Sequence, residues 1–208
     1  MLFRSHETTT FVVEKAKTAR HFIKSTQHPL PIALMQILEI TENKKELNEF
    51  LQAVHQGTNI GVISEAGCPG VADPGAEVVA WAYLNGIKVV PFVGPSSILL
   101  ALMASGFNGQ NFAFIGYLSN KKPELITQLK VLEQKVHKTG QTQIFMETPY
   151  RNGFMIDTCV QTLQDQTRLC VACDINAPTE DIQQKRITEW KKSNIGEYHK
   201  RPCIYLIG

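Results

Sequence analysis

The 208-residue chain is 43% hydrophobic and 19% charged, with a formal net charge of +2 at pH 7, the make-up of an ordinary globular protein of one large or two small domains. Its five cysteines are odd in number and scattered, which excludes a disulfide framework. The polar first ten residues do not read as a secretory signal, and Ser97–Ser105, the longest apolar run, is half of the roughly 18 residues a membrane span needs, so a cytoplasmic protein without membrane contact is expected.

Thr9–Val13 is a β-branched and aromatic run, read as a strand. Lys15–Lys24 has helical spacing, with Ala16, Ala19, Phe22 and Ile23 on one face, and Pro29 and Pro31 end it. Lys45–His55 is a clearer amphipathic helix, with Leu47, Phe50, Leu51 and Val54 recurring at threes and fours and Gly57 after its end. Ile60–Ile63 reads as a strand and Ala76–Asn85 as a helix. Ile87–Val90 is expected to return as a strand, making a parallel strand-helix-strand unit. Ile98–Ala104 is apolar nearly all round, which predicts a buried helix, and Ser96 or Ser97 can cap it. Gly106–Gln110 marks a boundary between domains 1–108 and 109–208. Beyond it come a strand at Phe112–Ile115, a long helix at Pro123–Lys138, a strand at Gln143–Met146 and a helix at Gly153–Leu163. Arg168–Ile175 and Pro202–Ile207 read as strands, with a polar segment opening at Pro178–Asp181. The fold class is α/β.

Between the strand at Ile60–Ile63 and the following helix lies Ser64-Glu65-Ala66-Gly67-Cys68-Pro69-Gly70-Val71-Ala72-Asp73-Pro74-Gly75. Glycine lets a backbone bend tightly and approach a ligand, and proline stiffens the turn. Open α/β sheets bind their ligands at this end of a strand. The loop has no basic residue, and Glu65 and Asp73 would repel a phosphate, so a neutral or cationic ligand suits it. Phosphate-loop and dinucleotide fingerprints are both absent. A second Gly/Pro loop, Phe92-Val93-Gly94-Pro95-Ser96-Ser97, is expected on the same sheet edge, which points to a shared pocket.

Cys170-Val171-Ala172-Cys173 has the spacing of a metal or redox pair. On a strand, positions three apart face opposite ways, and no second pair completes a site, so no metal is expected. Glu147 and Arg151 follow a strand end and are candidate catalytic groups, or the two halves of an ordinary ion pair. Lys185, Arg186, Lys191, Lys192, Lys200 and Arg201 interleave with Trp190 and Tyr198, a pattern that suits either single-stranded RNA or a solvated face.

Together these segments resemble a known family. Ser64–Pro69 with Asp73-Pro74-Gly75 is similar to the Ser-Asp-Ala-Gly-Thr-Pro…Asp-Pro-Gly signature of the tetrapyrrole-methylase superfamily. The nearest branch is that of the small-subunit ribosomal RNA cytidine 2′-O-methyltransferase. Val93–Ser97 resembles its Pro-Gly-Pro turn, Phe145–Arg151 its Tyr-Glu-Ser-Pro-His-Arg, and Glu14 with Thr18 and Arg20 its Glu-Asp-Thr-Arg. The resemblance implies two α/β domains with S-adenosylmethionine in the cleft between them, in a homodimer. By position, Ala66, Gly67, Cys68 and Val71 would line the cofactor, Ser96 and Ser97 would touch it, and Met146 and Ala172 would close over it. It further implies methylation of ribosomal RNA at a ribose 2′-hydroxyl. The alternatives are a methyltransferase of a small molecule or protein side chain, and a non-catalytic binding protein on the same fold. Three departures stand out. Nothing before Glu14 matches the strand and Pro-x-Gly loop with which that branch begins. Tyr150 stands in place of its His. The branch's extra C-terminal domain has no counterpart here.

Overall fold

A computed structural model describes residues 6–41, 43–53 and 57–208. The chain forms two compact units, Met1–Pro95 and Ser96–Gly208.

In the first unit, strands β1 (Thr10–Val13), β2 (Gln36–Glu39) and β3 (Ile60–Ile63) form a parallel sheet in the order β2-β1-β3. The central strand is buried along its whole length. Its two faces feed separate cores, as a parallel sheet covered on both sides requires. Phe11 and Val13 pack with Ala19 and Ile23 of helix α1 (Ala16–Ser25). Val12 packs with Leu47 and Leu51 of α2 (Lys44–Ala53) and Val78 of α3 (Ala76–Leu84). Phe22, expected on the buried stripe of α1, is 57% exposed. It stands roughly 60° round the helix from Ala19, at the stripe's edge. Val54 and His55, the expected end of α2, lie outside the described residues.

Among the described residues, 87–96 pair with no strand. Ile87 and Val89 are half-buried while Lys88 and Val90 are exposed, so the alternation of a strand survives without the ladder expected there. The parallel return at Ile87–Val90 is therefore corrected to an irregular segment.

The second unit is built on a five-stranded mixed sheet, in the order β4-β5-β8-β6-β7. Its strands are β4 (Phe112–Tyr117), β5 (Thr142–Met146), β6 (Arg168–Cys173), β7 (Asp181–Arg186) and β8 (Cys203–Ile207). Along β5, β6 and β8 successive side chains enter opposite cores. Cys203, Tyr205 and Ile207 face α5 (Lys122–Thr139) and α6 (Asn152–Thr162), while Ile204 and Leu206 face α4 (Ser97–Ser105). Helix α5 is bounded by ordinary signals: Pro123 near its start with Glu124 in the first turn, and His137 and Lys138 in the last turn before left-handed Gly140.

Helix α4 was expected to lie before a boundary at 108/109, but it packs on the second sheet through Ala101 and Leu102. Only one side of it is buried: Leu99 is 51% and Met103 78% exposed. Ser96 precedes α4 with extended backbone and makes no side-chain capping bond. The polar segment after Pro178 contains strand β7 and a short helix, α7 (Ile187–Trp190), neither expected from the sequence.

Candidate active site

The Gly/Pro loop leaves β3 and is tied to the end of β1. Glu14 donates its backbone N–H to the Ile63 carbonyl at 3.0 Å, and its carboxylate accepts the Glu65 backbone N–H at 2.7 Å. The Thr18 hydroxyl, on α1, donates to the Glu65 carboxylate. Within the loop, Val71 N–H bonds the Cys68 carbonyl at 3.1 Å and Gly70 N–H the Pro74 carbonyl at 3.2 Å. Gly67, Gly70, Ala72 and Gly75 all have positive φ. Gly75, at φ +124°, is the tightest: an added Cβ would stand 3.2 Å from Val62 and 3.4 Å from the Gly70 nitrogen. At Gly67 the same construction meets nothing within 4 Å, so that stretch of backbone is open to a ligand.

Of the residues expected along a cofactor, Ala66, Gly67 and Val71 are exposed and Cys68 is half-buried. The Cys68 thiol lies 3.9 Å from the Pro95 carbonyl. That contact brings the end of the second Gly/Pro loop against the first inside one unit. Asp73 is half-buried, and its carboxyl is pushed above the ordinary carboxylate range, first by desolvation and then by the neighbouring Glu14 charge. The site's electrostatics are thus acidic.

In the second unit, Ser96 is half-buried and Ser97, the first residue of α4, is exposed. Met146, the last residue of β5, is half-buried against the core facing α4. Ala172 is 1% exposed, and its methyl packs with Ala101, Ile204 and Leu206. Its side chain is core. Beyond β5, Glu147 and Arg151 form an ion pair at 3.0 Å. The Glu147 carboxylate also accepts the Thr148 backbone N–H at 2.7 Å. The Arg151 guanidinium donates to the Asn120 carbonyl at 3.0 Å and lies 4.9 Å from the Phe154 ring. Neither Asn120 nor Phe154 was singled out from the sequence, although Phe154 sits three residues beyond Arg151, within helical reach. Sequence reading also missed Asn152, which is fully buried. Its amide donates to the Tyr198 and Arg201 carbonyls, both at 2.6 Å, and it accepts the Tyr205 hydroxyl at 2.7 Å. It fixes the turn on which Arg151 stands.

The cysteine pair does diverge. Cys173 joins the core under α5 and α6, and Cys170 the core under α4, where burial pushes its thiol up to about 12. Among the described residues no cluster of three or more His, Cys, Asp or Glu could hold a metal, and no helix is long and apolar enough to cross a membrane. The basic-aromatic tail is corrected in part. Trp190 is 1% and Tyr198 3% exposed, so both rings are core and cannot stack on a base. Lys191 pairs with Asp165 and Arg201 with Asp174.

The α/β fold of this chain is one that solved structures share. The chain has the fold of the tetrapyrrole methyltransferases. It aligns over its full length with cobalt precorrin-4 methyltransferase, CbiF, at a TM-score of 0.63 and 12% identity, covering 86% of that chain. It aligns likewise with uroporphyrin-III C-methyltransferase from Thermus thermophilus, solved with S-adenosyl homocysteine, at a TM-score of 0.56 and 15% identity, covering 88% of that chain.

In sequence the chain is a relative of the proteins named ribosomal RNA small subunit methyltransferase I, and the resemblance read from its loops is borne out. It is 30% identical to that of Bacillus subtilis strain 168 over 190 residues, 91% of this chain and 63% of the relative. It is 28% identical to that of Buchnera aphidicola subsp. Schizaphis graminum over 173 residues, 82% of this chain and 59% of the relative. The chain thus spans about three-fifths of the length of these curated relatives. No family model matches it.

Proposed function

We propose that this chain is an S-adenosylmethionine-dependent methyltransferase whose acceptor is a ribose 2′-hydroxyl of ribosomal RNA. The observation that carries the reading is the Ser64–Gly75 loop: hydrogen-bonded within itself and to Glu14, open at Gly67, edged by Glu65 and Asp73, and without a cation of its own. That donor set fits a ligand that is positively charged and rich in amide and hydroxyl groups. The names of the sequence relatives support an RNA acceptor.

When bound, S-adenosylmethionine supplies a methyl group on a sulfonium, transferred by in-line displacement. Ala66, Gly67, Cys68 and Val71 would hold the cofactor by backbone contact. Ser96 and Ser97 would offer hydroxyls, and Met146 an apolar edge. Ala172, with its methyl in the core, would serve through its backbone alone. The acids of the loop favour the cation electrostatically. Arg151 acts on the acceptor. Its guanidinium, held by Glu147, Asn120 and Phe154, would stabilise negative charge on the ribose oxygen as the hydroxyl gives up its proton to bulk water. Glu147 is therefore a positioning residue: one of its oxygens accepts the Thr148 N–H and the other faces Arg151.

A homodimer in the cytoplasm goes with this reading. Leu99 and Met103 on α4, and Phe112 and Tyr117 on edge strand β4, are exposed and offer an apolar face for a second copy. Calorimetric titration with S-adenosylmethionine is the first test, followed by transfer of its labelled methyl to small-subunit ribosomal RNA. Binding with transfer to ribose is expected. Silence at millimolar cofactor overturns the proposal.

A further inference from the structure

Tyr150 projects from the turn that carries Arg151, and its side chain has no core to enter: the residue is 72% exposed. The turn beneath it is stiff. Pro149 opens a single 3₁₀ turn through Arg151, and the Arg151 backbone N–H bonds the Thr148 carbonyl at 2.9 Å. Lys200 comes from the far end of the unit's sequence to the same spot. Its backbone N–H bonds the Pro149 carbonyl at 3.0 Å, and its ammonium lies 5.9 Å from the centre of the Tyr150 ring, at the outer reach of a cation–π contact. Lys200 itself sits at φ +63°, a strained conformation for a residue with a side chain.

Within the basic tail Lys185 lies 4.9 Å from the centre of the Trp190 ring, but that ring is core and offers no face to a ligand. Trp190 and Tyr198 are core, and the exposed ring beside Lys200 is Tyr150, fifty residues earlier. An exposed aromatic ring on a short, hydrogen-bonded turn, with an ammonium over it on one side, is a pairing that can hold a single-stranded nucleotide: the base stacks on the ring and the cation meets the phosphate. A base inside a duplex has no free face to offer, so the ligand is unpaired. We propose that Tyr150 and Lys200 form a stacking platform for an unpaired nucleotide of the RNA substrate, on the same turn as Arg151. The platform rests on the reading of RNA as acceptor and specifies the form that RNA takes.

The test is fluorescence anisotropy of the full chain with a fluorescein-labelled single-stranded RNA oligonucleotide and with the same strand in a duplex, alongside calorimetry with S-adenosylmethionine. The single strand is expected to bind more tightly than the duplex. Tyr150→Ala should weaken single-strand binding by about tenfold or more, while Tyr150→Phe keeps it. Lys200→Ala should weaken it less and lower the slope of log affinity against log salt by about 0.7. All three variants should bind S-adenosylmethionine as the wild type does, which shows them folded. If the wild type binds the single strand and Tyr150→Ala binds it equally well, the platform is wrong and the RNA reading stands. A Tyr150→Phe variant that loses as much as Tyr150→Ala also overturns it, because the hydroxyl and not the ring face would then be at work. A wild type that binds S-adenosylmethionine but ignores both RNAs sinks the RNA reading, and the platform with it.

Discussion

Asp73 shows how a single side chain in the loop works against the fold. Burial and the Glu14 carboxylate raise its pKa above the value of 3.8 it has when free. A raised acid favours the folded state only while protonated. Its contribution is fully present below 3.8 and is lost as pH rises through the raised folded value. At neutral pH the ionised form is therefore a burden. Asp73→Asn should be more stable than the wild type at pH 7 and lose that advantage near pH 3, read from urea midpoints at both pH values. Arg151 carries the opposite expectation, for turnover and not for stability. On the methyltransferase reading, Arg151→Met should lower kcat by about a hundredfold and leave the calorimetric affinity for S-adenosylmethionine unchanged. The Glu147–Arg151 pair was legible from the sequence, because an acid and a base four apart beyond a strand end have few other arrangements. The fates of Trp190 and Tyr198 were not: a linear pattern of basic and aromatic residues does not say which of them the chain turns inward.

Elements differ in how openly they announce themselves. Strands β6 and β8 are apolar almost throughout, and β5 ends in Ile144-Phe145-Met146, because both their faces are covered, and they read directly as strands. Among the described strands, β7, with the sequence Asp-Ile-Gln-Gln-Lys-Arg, pairs only with β6. As a half-exposed edge it carries no apolar run and was hidden among polar residues. Residues 87–90 err the other way, showing alternation without a partner strand among the described residues. The loop from Ser64 to Gly75 was legible because its constraints are steric and local. Gly75→Ala tests that directly. Its φ of +124° strains any residue with a side chain, and at 3.2 Å from an added methyl the Val62 side chain would have to give way. The substitution should cost about 1–3 kcal/mol and weaken S-adenosylmethionine binding by displacing the loop, as followed by urea denaturation and calorimetry.

For the molecule as a whole, the assembly is the property most open to a direct test. Leu99 and Met103 stand four apart on the open side of α4, so replacing both with lysine should leave the melting temperature within a few degrees. If a second copy covers that face, the double variant should sediment as a monomer where the wild type sediments as a dimer, and a wild type already monomeric in the ultracentrifuge refutes the dimer. The sheet order has a separate consequence, for biosynthesis. Strand β8, made after the other four, lies in the middle of their sheet, between β5 and β6. Until Cys203–Ile207 leaves the ribosomal exit tunnel, β4-β5 and β6-β7 are isolated two-stranded ribbons, which are marginal in water. Nascent chains stalled with that strand still inside the tunnel should be cut readily by protease across residues 112–186. Release of a few dozen further residues of linker should make the same region resistant in one step.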